Sequence, residues 1–225
     1  MRTLGVIAAL LAAVYLFFQV WDYSLSRYRY RLTIEIEVDG TTKSASSVHE
    51  AKPMKTWSID VGSGGGTALA AEAVFVDLGS GRNVVALLAV GKDADRNLID
   101  GLVPRAFAAA GNVRLGNSVD NWKWVATQTA AVELKSDNLP TLATVRDFYQ
   151  PFSTEIVSPY QLPRVFGPGV HFKRALVQMT RDPVTRTIQK QIPGLANINV
   201  WNSKLPRLTM PGEFKPGSGL FIREE

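Results

Sequence analysis

The sequence predicts an α+β protein: an N-terminal transmembrane helix, then a β-rich, mostly antiparallel domain with two or three short helices. Three observations lead there. Leu4 to Trp21 is an unbroken apolar run without a charged residue. Tyr28 to Val38 alternates apolar and polar residues at every step, the period of a half-buried strand. Eleven of the twelve prolines lie at or after Pro104. Regular strands are therefore expected in the first half and irregular structure in the second.

The N-terminal run reads LGVIAALLAAVYLFFQVW, with Gln19 as its single polar side chain apart from the tyrosine hydroxyl. A helix of that length spans roughly 27 Å, close to the ~30 Å hydrocarbon core of a bilayer. Lipid offers the backbone no hydrogen-bond partners, so a single spanning segment must be helical. Trp21 and Tyr23 fall where an aromatic belt anchors a helix end. A cleaved signal peptide, with Met1 and Arg2 as its positive start, and a buried helix of a soluble fold are the competing readings. The run is longer than the usual ~7–15 residues of a signal core. The nearest small-x-small site, Ser24-Leu25-Ser26, lies beyond a Trp-Asp-Tyr. An uncleaved signal anchor over residues 1–26 is expected. The arginines on its C-terminal flank, taken literally, argue for a cytoplasmic domain. Their alternation within a strand assigns them to the folded domain instead. A short tail before the apolar run is that of an anchor exporting its C-terminal side. The expectation is a single-pass protein of the bacterial inner membrane with a periplasmic domain.

Residues 27–203 should form one domain, since no Gly-, Ser- or Pro-rich linker divides them and no repeat recurs at a fixed period. After the strand Tyr28–Val38, Asp39-Gly40 is a hairpin signal, with a partner strand around Lys43 to Glu50. Trp57, Ile59 and Val61 alternate again. Ala73–Leu78 and Asn83–Val90, joined by Gly79-Ser80-Gly81-Arg82, read as a central hairpin buried on both faces. The first half is thus a meander of roughly five strands. Leu98 to Ala110 carries helical spacing with Gly111 as its stop, starting or bending at Pro104. Ser158-Pro159 opens a short turn that closes at Gly167-Pro168. Val170–Thr180 is a strand by its β-branched content. Asp182 as N-cap and Pro183 at the first position start a helix along Val184, Ile188 and Ile192. Trp122–Leu134 and Thr141–Arg146 are weaker strands. From Lys204 to Glu225, Pro206, Pro211 and Pro216 forbid regular structure, leaving an irregular arm on the surface or mobile.

Composition narrows the function classes. Apolar residues make up 46% and charged residues 20%, which excludes a disordered chain. Cys is absent, which excludes disulfides, thiolate metal sites and cysteine nucleophiles. Lys+Arg 25 against Asp+Glu 20 leaves +5. That charge is spread without a Lys/Arg run, weak support for nucleic-acid binding.

The segments RYRYRLTIEIEVDG directly after a hydrophobic run, SSVHE, and VFGPGVHFKRALVQMTRDPVTRTIQKQIPGL resemble an uncharacterised family of single-pass proteobacterial membrane proteins. The resemblance covers roughly residues 27–90 and 160–195. It implies membrane attachment and a shared fold, and it supplies no chemistry.

Candidate chemistry is sparse. Gly62-Ser63-Gly64-Gly65-Gly66-Thr67 follows a strand, as a phosphate-cradling loop does. It lacks the Gly-Lys-Ser/Thr of a P-loop, and the third glycine and long helix of a dinucleotide site. A flexible hairpin loop is expected. Asp93, Asp95 and Asn97 open like a calcium loop, but Leu98 stands where Gly is required and Pro104 where Glu is required. His49 and His171 fall on strands, as surface or hydrogen-bonded core residues. Trp122 and Trp124 around Lys123 more often fill a core than stack on bases. No catalytic residue, metal ligand or cofactor is nominated.

The most informative set is Arg27, Arg29 and Arg31, on one strand face at about 6.6 Å intervals. Arg27 lies only six residues past Trp21. Anionic headgroups would contribute about 1 kcal/mol per arginine there. The alternative is a solvated face with each arginine paired to a carboxylate across strands. The function expected is a membrane-anchored, non-enzymatic envelope protein with a β-rich interaction domain, contacting the bilayer and a protein partner. Two alternatives stay open: an accessory subunit of a larger membrane, secretion or phage-derived assembly, and an exported carboxylate-based hydrolase.

Overall fold

The computed structural model describes residues 2–24, 27–58, 62–111, 123–203 and 216–224; the side chains of 2–4, 18–24, 53–58, 62–66, 136 and 151 lie outside that description. Strand β1, Tyr28–Val38, buries every second residue. Its inward side chains Tyr30, Leu32, Ile34 and Ile36 are all but inaccessible. The Asp39-Gly40 turn that follows has φ of 50° and 79°. That left-handed pair matches the twist of the flanking strands, which is why Asp-Gly is favoured there. The turn returns the chain as β2, Thr41–Ser58, which runs past the expected Glu50.

The glycine-rich segment corrects the expectation of a loop. Gly62–Glu72 is strand β3 and pairs antiparallel along β2, from Ser58 opposite Gly62 to Glu50 opposite Ala70. Backbone pairing needs no side chain, so the ladder overrides the low strand propensity of glycine. Trp57 lies near the end of β2, whereas Ile59 and Val61 fall outside the described residues.

The expected five-strand meander divides into two sheets after β3. The first sheet runs β10-β3-β2-β1-β9-β6, where β6 is Val132–Leu134, β9 is Val170–Thr180 and β10 is Ile222–Glu224. The second runs β4-β5-β7-β8, with β4 Val74–Gly79, β5 Arg82–Val90, β7 Pro140–Val145 and β8 Thr154–Ile156. All pairings are antiparallel. The expected burial on both faces holds for β5, buried from Asn83 to Val90. It fails for β4, an edge strand that alternates and exposes Asp77.

One face of the second sheet (Val76, Val84, Ala86 and Leu88) packs on the inner face of β1 and β9 together with helix α2, Leu102–Gly111. Its other face (Val85, Leu87 and Val145) packs on Ile188, Ile192, Leu195, Trp201 and Phe221. The domain therefore has three layers with two apolar cores, and β5 is buried because it lies between them. Pro104 sits in the first turn of α2, where its missing N–H has no helical acceptor to lose.

Three further expectations change. Residues 123–126 are helical, so only Val132–Leu134 of the expected strand Trp122–Leu134 forms. Trp122 itself is outside the described residues. The helix expected from Asp182 begins only at Ile188 and ends at Gln191. Asp182 instead accepts from Thr180 Oγ1 at 2.8 Å, and Thr185 is drawn to β2, its Oγ1 accepting from Val48 N–H at 2.8 Å. The C-terminal arm, expected to be irregular throughout, ends in strand β10, paired with Ala70–Glu72. Phe221 just before it is fully buried. Residues 204–215 lie outside the description.

Helix α1 covers Arg2–Ser24. Among the described residues no helix is long and apolar enough to cross a membrane. The stretch with described side chains, residues 5–17, extends only about 20 Å as a helix, short of the ~30 Å core. Each of those residues is exposed.

Candidate functional site

Three residues separate the end of α1 at Ser24 from the start of β1 at Tyr28. Antiparallel pairing brings the end of β9 there as well, with Arg29 opposite Thr180. The segment 126–129 forms the opposite wall. Together they enclose a cleft of about 480 Å³ lined by Arg27, Arg29, Glu50, Gln128, Thr129 and Arg181, among others.

The structure separates the five residues the sequence nominates. Trp21 and Tyr23 belong to α1, with side chains outside the description. Arg27 is exposed at the cleft mouth. Arg29 lies opposite Glu50 in the β1–β2 register, and its Nε donates to Glu50 Oε2 at 2.7 Å. Arg31 pairs with Asp182 and donates to Ser46 Oγ at 3.2 Å. Cross-strand pairing therefore accounts for Arg29 and Arg31. The Thr180 hydroxyl and then Arg31 hold the Asp182 carboxyl below its ordinary range. Arg181, the residue after β9, lines the same cleft as Arg27; no local pattern in the sequence marks it.

A second constellation lies inside the domain. His49 on β2 is fully buried. Its Nε2 is 3.0 Å from the Glu72 carbonyl oxygen and its Nδ1 is 3.1 Å from the Tyr30 hydroxyl. A carbonyl only accepts, so Nε2 carries the proton and Nδ1 accepts from Tyr30. Burial pushes His49 down to about 4 and raises the Tyr30 phenol well above its usual value. The Tyr28 hydroxyl is also buried and finds no hydrogen-bond partner among the described residues. The Glu72 carboxylate accepts from Thr187 N–H at 2.7 Å, Thr187 Oγ1 at 2.8 Å and Ile188 N–H at 3.0 Å. A perturbed histidine often marks an active site. Here Tyr30, His49 and Glu72 are at most 4% exposed. The chain of bonds instead ties β1, β2, β3 and the segment 187–188 together.

This histidine sets an acid limit on stability. The unfolded imidazole protonates near ~6.5, while the native one resists until about 4. Between these values the unfolded state holds more protons, so stability is full above pH ~6.5 and falls as pH drops towards 4, by about 3 kcal/mol. Urea midpoints measured across that window should show the slope. The His49→Gln variant, which keeps a donor and an acceptor, should flatten it; an unchanged slope would remove His49 as its source.

The other sequence candidates are placed plainly. His171 is exposed on β9. Trp124 is half-buried against the main core. Asp95 Oδ1 accepts from Asn97 N–H at 2.8 Å within its own turn. Among the described residues no group of three His, Asp or Glu stands close enough to hold a metal ion. Tyr160, 87% exposed, lines two further clefts of about 550 and 290 Å³; the sequence reading did not single it out. No family model, curated protein or solved structure matches the chain.

Proposed function

We propose that this chain is a membrane-anchored, non-enzymatic envelope protein. Residues 1–26 serve as a bilayer anchor and the β-rich domain works on the periplasmic side, in contact with the headgroup surface and a protein partner. The observation that carries this reading is α1. It is apolar on all sides, and Val6, Ile7, Leu10, Leu11 and Phe17 are each about 60% exposed. A helix packed on its own domain buries one stripe and leaves the other polar. A helix apolar all round needs another apolar environment, and the full run Leu4–Trp21 has the length of a bilayer core. The exposed Tyr160 between two clefts supports a protein contact on the domain itself.

The test is extraction. The full chain is expected to stay with membranes through alkaline carbonate and urea, and a variant lacking residues 1–26 is expected in the supernatant. A reporter fused after Glu225 should be active on the periplasmic side. Release of the full chain by carbonate would end the anchor reading, and a cytoplasmic reporter would end the orientation.

A further inference from the structure

We propose that the β2–β3 arm, residues 52–58 and 62–68, is a second membrane contact that lies in the headgroup layer of an anionic bilayer beside the anchor. The proposal rests on the anchor reading above, which sets the end of α1 at the bilayer surface.

Strand register places the arm there. β1 begins at Tyr28, opposite Ala51 of β2. Beyond Ala51, β2 and β3 continue together for seven residue pairs, from Lys52 opposite Ala68 to Ser58 opposite Gly62. At about 3.3 Å per residue they reach roughly 23 Å past the start of β1. β2 runs antiparallel to β1, so this reach points back towards the helix from which β1 sets out. The link from Ser24 to Tyr28 spans at most about 14 Å, and α1 lies against β2. The arm is therefore longer than the gap between the sheet and the helix end.

The arm needs a neighbour, and its backbone limits how deep it sits. Among the described residues no third strand pairs with it: β1 pairs no further than Ala51, and β10 covers only residues 70–72 of β3. Two strands alone are marginal in water. Cross-strand side-chain pairs do little to help, because Met54, Lys55, Thr56 and Ser58 each stand opposite a glycine. Both outer edges carry backbone groups without strand partners among the described residues. Hydrocarbon does not tolerate such edges, whereas the hydrated headgroup layer does. The residue types suit that layer. Lys52 and Lys55 bring cations to lipid phosphates, and Trp57, next to the end of β2, is a residue favoured at the lipid–water boundary. Residues 62–68 of β3 carry no charge, so nothing on that strand opposes an anionic surface.

The test uses the full chain in liposomes. Cys is absent from the sequence, so one introduced cysteine carries the only nitroxide label. Ser58→Cys and Ser63→Cys report on the arm. Ser44→Cys, exposed near the other end of β2, is the reference. In liposomes of equal parts phosphatidylcholine and phosphatidylglycerol, the labels at 58 and 63 should lose most of their collisions with a water-soluble nickel chelate, and the label at 44 should keep them. Lys52→Gln and Lys55→Gln should each lower the ratio of shielded to accessible label about fivefold there, with a much smaller effect in phosphatidylcholine alone. Labels at 58 and 63 as accessible as the one at 44, on a chain that floats with the liposomes, would overturn the arm and leave the anchor intact. Shielding that ignores both lysines and the lipid charge would assign it to packing within the chain and overturn the headgroup contact. Shielding that rises with the protein-to-lipid ratio, with spin–spin broadening between labels, would place a second copy on the open edge of β3 instead of lipid. A chain that does not float would overturn the anchor, and the arm with it.

Discussion

Replacing Glu72 by alanine is expected to destabilise the domain by about 3–5 kcal/mol, read as a lower denaturant midpoint. The carboxylate is 4% exposed and holds two backbone N–H groups and one hydroxyl, all at Thr187 and Ile188. Removing it strands three buried or half-buried donors that water does not readily reach. Glu72→Gln should cost less, about 1–3 kcal/mol. It retains one acceptor oxygen, but it loses the charge and turns an NH2 group towards donors. The C-terminal segments from Ile188 onward should then exchange faster than the β1–β2 hairpin. If Glu72→Ala unfolds at the wild-type midpoint, the carboxylate does not organise that junction.

Trp201→Ala should have a comparable effect, about 3–5 kcal/mol. Trp201 is 1% exposed, meets Phe221 edge-on at 5.7 Å between ring centroids, and donates from Nε1 to the Pro216 carbonyl at 3.1 Å. It therefore holds the segment 216–221 against the second face of the β4-β5-β7-β8 sheet. Trp201→Phe retains most of the apolar area but leaves that carbonyl without its donor, a loss of about 1–2 kcal/mol. Gly194→Ala tests the same packing from outside. A β-carbon there would lie 2.7 Å from Cζ3 of Trp201 and 2.5 Å from the Phe148 carbonyl oxygen. Overpacking of that kind costs about 1–3 kcal/mol. Wild-type stability for Trp201→Ala would mean that the second core contributes little to the fold.

Both sites lie where local reasoning is weakest. Glu72 follows an alanine-rich stretch and carries no motif. Its role depends on Thr187, 115 residues away. Trp201 sits among residues without helical or strand period. The proline density points to a more irregular second half, and there the elements other than β9 are short. It does not predict that a string of short helical turns over residues 188–203 will cover a sheet face, because hydrophobic burial needs apolar area and not a long regular element. The helix expected at Asp182 illustrates the same competition. Its capping chemistry is sound, yet Arg31 and Thr180 take the carboxylate and β2 takes Thr185. The glycine segment goes the other way. Its loop composition yields to a ladder supplied by β2.

At the basic cleft, the alternation of Arg27, Arg29 and Arg31 is legible from spacing, as is their nearness to the apolar run. Which of them faces a carboxylate is not, since Glu50 and Asp182 arrive through two different neighbouring strands.

By itself the sequence determined the features with a short period: the eleven-residue alternation of β1, the Asp-Gly turn, the strand Val170–Thr180, the burial of β5 and the unbroken apolar start of the chain. Each depends on residues within a few positions, where backbone geometry and side-chain direction are coupled directly. Tertiary structure alone decided the division into two sheets, the neutral buried His49, the capping by Glu72, the return of the C-terminus as β10, and the carboxylate partners of Arg29 and Arg31. Those follow from contacts between distant segments, whose strength comes from exclusion of water and from register, and neither is written in any local stretch of residues.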